Sequence, residues 1–354
     1  MEIQGSGTKR SIGIRTKKLT MPILESNDYK PSILFRNGNI NTIYPFLFRK
    51  KIDPPFQRTR FETSDGDFID LDLLFQDSNR LVVLCHGLEG NSESQYQRNT
   101  AFYLYNNGWD VICINFRSCS GEMNRKLSMY HSGFTSDVHE VLSSYNDDFD
   151  HISLVGFSLG GNVILKYISD GIFELPSNLN SVVAMSVPID LSKSAKKISS
   201  RANWLYDKRF RISLEQKIRE KHEQFPGEVN LDHLKKIKTL RDFDEYYTGP
   251  IHGFDGAEDY YSKCNSKQFL HNIKIPALLI TAMDDPFLPI ESYPFEIAAE
   301  IDNFYFMAPK FGGHVGFTTF GTNYYWNEQK ILHFIDNPDL FVANHRPVSP
   351  EVYI

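Results

Sequence analysis

Short runs of apolar residues recur from residue 80 onward, and stretches with amphipathic helical character separate them. There are six such runs, at residues 80–85, 109–116, 151–157, 181–187, 275–282 and 303–308. Runs of this length between amphipathic segments are typical of parallel strands that helices bury on both faces. The pattern therefore predicts an α/β fold with a mostly parallel central sheet flanked by helices.

A different pattern occupies residues 65–75. Apolar side chains alternate there with other positions, at Ile69, Leu71, Leu73 and Phe75. This period of two is typical of a half-buried strand. We expect an antiparallel strand at the edge of the sheet.

The spacing of the runs breaks once, between Val187 and Ile275, where about 90 residues intervene. This is too long for one crossover helix, so we predict a helical cap inserted at about residues 190–268. Within the cap, residues 191–222 contain ten Lys or Arg against three Asp or Glu. Such a basic stretch fits a solvated surface helix as well as a surface for peripheral contact with anionic membranes.

The length of 354 residues fits one α/β domain with an insertion. We place this domain at residues 29–345, after a flexible segment at residues 1–28 and before a C-terminal tail at residues 346–354. Met21 is an alternative start, because the residues that precede it are basic and lack a hydrophobic pattern.

Charge and cysteine usage restrict the class of protein further. The net charge of −6 argues against binding of nucleic acid through a broad basic face. The four cysteines form no CxxC pair, and no apolar stretch has the length of a signal peptide or a membrane span. We therefore expect a cytoplasmic protein without a transmembrane segment.

The run at 151–157 leads into the sequence Gly156-Phe-Ser158-Leu-Gly160, which a helical pattern follows. A G-x-S-x-G motif between a strand and a helix is typical of a nucleophile elbow. Glycines at 156 and 160 are needed because side chains there would collide across the sharp turn. The start of the helix directs free backbone N–H groups toward negative charge, so we assign the N–H of Leu159 to an oxyanion hole. A glycine turn with a purely structural role is the alternative.

The turn His86-Gly-Leu88-Glu-Gly90 follows the run at 80–85. Acyl transfer needs two donors for the oxyanion, and in such sheets the second comes from this loop. We assign it to the backbone N–H of Leu88. The alternative is a structural turn in which neighbouring backbone groups bind the His86 side chain.

The base and its orienting carboxylate should follow the nucleophile in the order acid, then histidine. His314 lies in a glycine-rich loop after the run at 303–308, where it can reach over the nucleophile, and we predict that it is the base. His333 and His345 fall in a predicted helix and in the tail, where a structural role is more natural.

Asp284 and Asp285 follow the run at 275–282, at the carboxyl edge of the sheet, where ligands bind in such folds. We favour Asp285 as the residue that orients His314. The other aspartate is expected to cap the loop or to face solvent.

With these residues in place, the chain resembles the YheT-type α/β hydrolases, the group that includes the mammalian abhydrolase-domain proteins 1 and 3. The resemblance covers about residues 30–335. Its blocks are NGNINTIYPFLFRKK (37–51), DGDFIDLD (65–72), HGLEGNSES (86–94), NFRSCSGEMNR (115–125), YHSGFTSD (130–137), GFSLGGN (156–162), DDPFLP (284–289) and GGHVGF (312–317). The resemblance implies an α/β-hydrolase fold, carboxylesterase, acylglycerol lipase or phospholipase activity, and a catalytic triad on Ser158, Asp285 and His314.

Two positions depart from the pattern of this family. Ser118 stands where the family usually has glycine, and Asn39 stands where a histidine is common. The animal relatives also have a membrane-anchoring segment that this sequence lacks, so a membrane-resident phospholipase role is not implied.

Several polar residues of the specific blocks are candidates for lining the substrate pocket or bracing its loops. They are His86, Arg117, Asn124, Arg125, Tyr130 and His131. A structural hydrogen-bond scaffold is the favoured alternative for the residues that follow the run at 109–116.

Together, these residues predict hydrolysis of carboxylic esters through an acyl-enzyme, with no metal or organic cofactor. The 27 Phe, the 18 Tyr and the predicted cap favour a short- or medium-chain acyl ester as the small-molecule substrate. A lipase or phospholipase, or an acyltransferase with the same triad, is an alternative. The intact triad argues against a non-enzymatic binding protein.

Overall fold

The computed structural model describes residues 22–353. Met21, the alternative start, and the rest of residues 1–21 therefore lie outside the described residues. Within them, the centre of the fold is a nine-stranded sheet with the order β1-β9-β8-β7-β6-β4-β5-β3-β2. The strands are β1 (Ile23–Leu24), β2 (Gln57–Glu62), β3 (Phe68–Leu74), β4 (Arg80–Cys85), β5 (Asp110–Asn115), β6 (His151–Phe157), β7 (Leu179–Met185), β8 (Ala277–Ile280) and β9 (Phe304–Met307).

The six apolar runs form strands β4 to β9, which pair in parallel with one another. Helices cover both faces of the sheet, and alternate side chains of each strand enter different cores. In β4, for example, Leu81 and Val83 contribute to one core and Val82 and Leu84 to the other. Burial on both faces explains why these strands appear in the sequence as continuous apolar runs. The predicted α/β class, with a mostly parallel sheet flanked by helices, is confirmed.

The helices are α1 (Gly38–Phe48), α2 (Gln95–Tyr105), α3 (Ser136–Tyr145), α4 (Leu159–Tyr167), α5 (Leu191–Ile198), α6 (Trp204–Gln224), α7 (Leu240–Phe243), α8 (Gly249–Ile251), α9 (Ala257–Cys264), α10 (Phe295–Glu300), α11 (Trp326–Asp336) and α12 (Pro338–Ala343). Buried side chains of α2 and α11 pack on one face of the sheet, and those of α3 and α4 on the other. Helices α5 to α9 lie between β7 and β8, and we call this part of the chain the helical insertion.

Strand β3 corrects the prediction of an edge strand at residues 65–75. It is antiparallel, as expected, but it pairs with β5 on one side and with β2 on the other. The edge is β2, whose sequence QRTRFE is largely exposed. Because β2 is polar and has no buried face, the apolar pattern does not mark it as a strand.

Both ends of the described chain also differ from the predicted flexible segment and tail. Ile23 and Leu24 are buried and pair in parallel with β9, the last strand of the parallel array. The backbone N–H of Val348 donates to the carbonyl of Ile23 at 2.8 Å, and the ring of Tyr353 stacks on Phe295. Strand β1 thus covers the backbone edge of β9, and the C-terminal segment in turn pairs with β1.

Arg117 follows β5, and its buried side chain joins three segments. Its guanidinium bonds both carboxylate oxygens of Asp137 in α3, at 2.7 and 3.0 Å, and reaches Asp65 and Asp67 in the turn before β3 at 2.9 and 3.2 Å. Burial raises the pKa of Asp137 to about 6. Arg117 is therefore a structural brace, the alternative that the sequence favoured for this residue, and it does not line the pocket.

We predict that Arg117→Met lowers the free energy of unfolding by about 3–5 kcal/mol, because it leaves buried carboxylates without their cation. Urea denaturation followed by circular dichroism measures the change. Arg125→Met is the matched control, since this arginine forms an exposed pair with Glu62 and exposed pairs contribute little. Equal loss of stability in the two variants would contradict the bracing role.

Candidate active site

Ser158 lies on the sharp turn between β6 and α4, with φ 52° and ψ −118°. A non-glycine residue in this region is strained and needs support from its surroundings. The turn is packed so closely that a Cβ at Gly160 would lie 2.4 Å from the carbonyl oxygen of His86, and one at Gly156 would lie 2.6 Å from the carbonyl oxygen of Gly160. Both contacts exclude a side chain, which is the reason that the motif has glycine at these positions.

The structure brings Ser158, His314 and Asp285 together, although they are far apart in the sequence. The Nε2 atom of His314 lies 3.0 Å from the Oγ of Ser158, and its Nδ1 lies 2.9 Å from the Oδ2 of Asp285. A carboxylate only accepts hydrogen bonds, so Nδ1 donates to Asp285. Nε2 of the neutral ring is then an acceptor for the serine hydroxyl.

Asp285 is buried, and its other oxygen, Oδ1, accepts a hydrogen bond from the backbone N–H of Phe287 at 2.8 Å. The Phe287 ring also packs on the imidazole of His314, with 4.3 Å between the ring centroids. The carboxylate and the ring are therefore both held in place by the segment that follows Asp285.

Asp284 has a different role from its neighbour. Its Oδ1 accepts a hydrogen bond from the backbone N–H of Gly313 at 2.9 Å, so it caps the loop that contains His314. Burial raises the pKa of Asp284 to about 6, and the nearby Asp285 carboxylate acts in the same direction. The second aspartate was expected either to cap the loop or to face solvent, and in the structure it caps the loop.

Helix α1 braces this loop from the outside, a role that sequence reasoning missed. The hydroxyl of Thr42 accepts a hydrogen bond from the backbone N–H of His314 at 2.8 Å and donates to the carbonyl of Gly38 at 2.6 Å. A Cβ at Gly38 would lie 1.9 Å from the carbonyl oxygen of Asp284. In the sequence, the family block NGNINTIYPFLFRKK (37–51) was the feature that pointed to this helix.

Ser186, directly after β7, supports the same loop from the sheet. Its hydroxyl accepts a hydrogen bond from the backbone N–H of Val315 at 3.0 Å, and both Ser186 and Val315 have positive φ values, 52° and 57°. No motif pointed to Ser186, because its contact depends on how the loop folds back over the strand end.

The loop at residues 86–90 packs against the turn that contains Ser158, since a Cβ at Gly87 would lie 3.1 Å from the Cβ of Ser158. Leu88 and Leu159 line the same cavity as Ser158. His86 is not among the lining residues, which corrects its prediction as a pocket residue. Its Nδ1 is 2.7 Å from the carbonyl of Gly87, its Nε2 accepts from the N–H of Phe116, and burial lowers its pKa to about 3.

A cavity with about 920 Å³ of empty space, part of it open to solvent, begins at Ser158 and His314. Most of its walls are apolar, and the helical insertion provides many of them. These apolar residues of the insertion are Leu191, Ala195, Ile198, Phe210, Leu214, Leu240 and Phe243. A concave, mainly apolar space beside a few polar groups is typical of a small-molecule site.

The remaining predicted pocket residues divide between the cavity and the scaffold. Tyr130 and His131 line the cavity. Asn124 and Arg125 do not: the Asn124 amide donates to Asp67 and to the carbonyl of Ser128, and Arg125 pairs with Glu62. For these two residues, the hydrogen-bond scaffold replaces the pocket prediction.

The two departures from the family pattern have local consequences. Ser118 has φ 62°, in the left-handed region that favours glycine, and its hydroxyl donates to the side chain of Asn124 at 2.5 Å. Asn39 accepts a hydrogen bond from the hydroxyl of Tyr206 at 3.1 Å. Asn39 thereby connects α1 to helix α6 of the insertion.

Two other kinds of feature are absent from residues 22–353. No three His, Cys, Asp or Glu side chains of this range are grouped so that they could hold a metal ion. None of its helices combines the length and the apolar character that crossing a membrane requires.

Comparison with known proteins agrees with this fold. A family model described as the alpha/beta hydrolase fold matches residues 80–319. The candidate esterase YheT of Escherichia coli (strain K12) is 33% identical over 303 residues, which cover 82% of this chain and 87% of YheT. The human phospholipase ABHD3 is 25% identical over 82% of this chain and 73% of its own length.

Two further proteins are also similar to this chain. The monoacylglycerol lipase of Saccharomyces cerevisiae is 26% identical over 73% of this chain and 59% of its own length. Among solved structures, an esterase from Pyrococcus furiosus matches 83% of this chain and 94% of its own with a TM-score of 0.53 and 17% identity, a likeness of fold. The chain therefore belongs to the α/β-hydrolase family and, within it, to the YheT-type abhydrolase-domain proteins.

Proposed function

We propose that this hydrolase cleaves carboxylic esters through an acyl-enzyme on Ser158. The observation that supports this most strongly is the continuous hydrogen-bonded chain from Asp285 through His314 to Ser158, with distances of 2.9 and 3.0 Å. It ends at the mouth of an apolar cavity. A nucleophile, a base and an orienting group within hydrogen-bond distance of one another are the arrangement that acyl transfer requires.

In the first half of the reaction, Nε2 of His314 accepts the hydroxyl proton of Ser158 while Oγ forms a bond to the ester carbonyl carbon. The electron pair of the carbonyl double bond moves to the oxygen, and the backbone N–H groups of Leu88 and Leu159 stabilise the resulting oxyanion. Collapse of this intermediate breaks the bond to the alcohol oxygen. His314 gives its proton to the departing alcohol.

In the second half, a water molecule attacks the acyl-enzyme, and His314 accepts a proton from it. Collapse of the second tetrahedral intermediate releases the carboxylic acid, and Ser158 regains its proton from His314. The Asp285 carboxylate keeps the imidazole in one tautomer and stabilises its cationic form throughout.

The proposed substrate is a carboxylic ester with a short or medium acyl chain. The apolar walls of the insertion can bury an acyl group of this size, and burial of apolar surface stabilises the complex. The names of the relatives, which include an esterase, a phospholipase and a monoacylglycerol lipase, support an acyl ester as the class of substrate.

We predict that Ser158→Ala and Asp285→Asn each lower kcat for p-nitrophenyl butyrate by about 10⁴-fold or more, because the first removes the nucleophile and the second favours the wrong histidine tautomer. The matched control is Asp284→Asn. Its side-chain oxygen can still accept from the N–H of Gly313, so its kcat should stay close to that of the wild type.

Stopped-flow or plate-reader kinetics on folded protein measure all three variants. The proposal is contradicted if Ser158→Ala retains wild-type turnover. If Asp284→Asn is the inactive variant and Asp285→Asn the active one, the roles of the two carboxylates are exchanged.

A lipase that works at a membrane surface is a second candidate, and one surface feature favours it. Large apolar side chains are exposed on α1 and on α6, two helices that meet where Arg209 lies over the ring of Phe46. We call them the exposed apolar patch: Phe46, Leu47 and Phe48 of α1, with exposed fractions of 54–67%, and Trp204 and Leu205 of α6, with 56% and 60%. Contiguous exposed apolar surface is typical of interaction sites.

The two helices of the patch touch each other and lie close to the active site. The guanidinium of Arg209 is 3.9 Å from the ring centroid of Phe46. The ring of Tyr206 in α6 packs edge-on against Phe287, the residue that contacts His314. A lipid surface that covered the patch would therefore lie next to the cavity mouth.

The charges around the patch fit an anionic surface. Residues 36–51 contain four Lys or Arg and no acidic residue, and residues 191–211 contain seven Lys or Arg and one acidic residue, Asp207. Arg49 adds no surface charge, because its side chain is buried and pairs with Glu328. Asp207 is buried and pairs with Arg211. A basic rim around exposed aromatic and aliphatic side chains is the composition of surfaces that bind anionic lipids.

We predict that vesicles of phosphatidylglycerol and phosphatidylethanolamine bind the wild-type protein and that the triple variant Phe46→Ser, Leu47→Ser, Phe48→Ser binds at least about tenfold more weakly, because it loses apolar area that the interface buries. Co-sedimentation measures binding, and vesicles of phosphatidylcholine test the role of charge. Ile172→Ser with Leu340→Ser is the control, since both residues are exposed apolar positions outside the patch.

Equal vesicle binding by the triple variant and the control would contradict the lipid surface. If sedimentation velocity instead shows a dimer that the triple substitution dissociates, the patch is an interface between two copies of the chain and the lipid proposal is wrong.

A further inference from the structure

One part of the cavity wall is polar, and ester hydrolysis at Ser158 does not use it. It includes His131, in the loop after β5, and Asp244 and Thr248, in the turn of helix that connects α7 and α8. A polar group that faces an otherwise apolar cavity needs a hydrogen-bond partner. The partners that these side chains have within the protein therefore indicate what the cavity can bind.

His131 offers the cavity an unused donor. Its side chain is buried, with 8% of the residue exposed, and its Nδ1 accepts a hydrogen bond from the backbone N–H of Gly133 at 3.1 Å. Burial lowers the pKa of His131 well below that of a free imidazole, so the ring is neutral. A neutral ring whose Nδ1 is an acceptor has its proton on Nε2. Across the described residues, that Nε2–H has no hydrogen-bond partner.

Asp244 offers an acceptor. Its carboxylate accepts a hydrogen bond from the hydroxyl of Tyr261 at 2.7 Å, and no Lys or Arg of residues 22–353 forms an ion pair with it. Arg241, one turn earlier, pairs with Glu258 instead, at 3.0 Å. Burial raises the pKa of Asp244 to about 6, while bonds from Thr248 and Tyr261 oppose this shift.

His252 connects the donor and the acceptor. Its ring lies 4.6 Å from the ring of His131, and its Nδ1 bonds the carbonyl of Thr248 at 2.7 Å. Its Nε2 accepts from the backbone N–H of Met129 at 3.1 Å, so both nitrogens of His252 are satisfied. His131 and Asp244 therefore line one end of the cavity as two polar groups with spare hydrogen-bonding capacity, and His252 connects the segments that contain them. The hydroxyl of Ser194 in α5, which also lines the cavity, is a further group without a hydrogen-bond partner among the described residues.

We propose that this end of the cavity, defined by His131 and Asp244, is a subsite for a free hydroxyl group of the ester substrate. The inference rests on the proposed ester hydrolysis. A hydroxyl oxygen accepts from the Nε2–H of His131, and a hydroxyl proton is donated to the carboxylate of Asp244. One hydroxyl or two adjacent hydroxyls on the substrate satisfy both groups.

Other terminal groups fit this pair less well. A methyl group would leave the Nε2–H of His131 unpaired and would offer no donor to Asp244, which penalises binding. A carboxylate would be repelled by Asp244, and an ammonium group has no lone pair to accept from His131. The complementary substrate is therefore a hydroxylated ester, with the hydroxyl either on the acyl chain or on the alcohol portion.

Two pairs of esters distinguish a hydroxyl on the acyl chain from a hydroxyl on the alcohol portion. In the acyl pair, p-nitrophenyl 6-hydroxyhexanoate is compared with p-nitrophenyl hexanoate. In the alcohol pair, glycerol monobutyrate is compared with propyl butyrate. We expect the wild-type enzyme to have at least about a tenfold higher kcat/KM for the hydroxylated member of one pair, because a site that bonds a hydroxyl discriminates strongly against its absence.

The variants His131→Phe and Asp244→Asn should each reduce this ratio at least about fivefold, because each removes one of the two groups that bond the hydroxyl. The ratio of two kcat/KM values does not depend on the fraction of folded enzyme, so a loss of stability alone leaves it unchanged. Asp259→Asn is the control. It makes the same charge change in the insertion at a side chain that pairs with Lys263 outside the cavity, and its ratio should equal that of the wild type.

A wild-type ratio near one in both pairs overturns the hydroxyl subsite and leaves ester hydrolysis intact. If His131→Phe and Asp244→Asn leave the wild-type ratio unchanged, the hydroxyl subsite is likewise overturned and ester hydrolysis remains intact. Turnover of all four esters that persists in Ser158→Ala overturns the proposed function itself, and the subsite inference with it.

Discussion

The hydrogen bond between the buried Asp285 carboxylate and the His314 imidazole is the interaction on which the account of this protein depends. It fixes which nitrogen of the ring has the proton, and so makes Nε2 the acceptor that faces Ser158. Because the two residues lie on separate loops, the bond forms only if both loops keep their conformations. Much of the surrounding structure holds these two loops in their conformations.

Three supports reach the histidine loop from different parts of the fold. Asp284 bonds Gly313, Thr42 of α1 bonds the backbone of His314, and Ser186 after β7 bonds Val315. Each is a hydrogen bond to a backbone N–H, the kind of group that is costly to leave unpaired when buried. The geometry of the site thus comes from the end of the sheet and from α1, and not from Ser158, Asp285 and His314 alone.

The features that could be predicted from the sequence are those in which a residue type has a single physical explanation. Continuous apolar runs identified β4 to β9, and the order of serine, aspartate and histidine identified the three residues that the structure brings together. The features that could not be predicted depend on tertiary contacts or on the position of a segment in the fold. The strand β2 is polar on an exposed edge, β1 is two residues long, and the support by Thr42 and Ser186 arises from loops that fold back over strand ends. Likewise, Arg117 and His131 come from neighbouring blocks, and no pattern separated the structural brace from the cavity residue.

Labelling with a fluorophosphonate probe, followed by peptide mass spectrometry, determines whether His314 activates Ser158, because such probes react with a serine only when a neighbouring base activates it. We predict one adduct, on the peptide that contains Ser158, and no adduct in Ser158→Ala. Labelling that is equally strong in Ser158→Ala, or an adduct on a different serine, would contradict it.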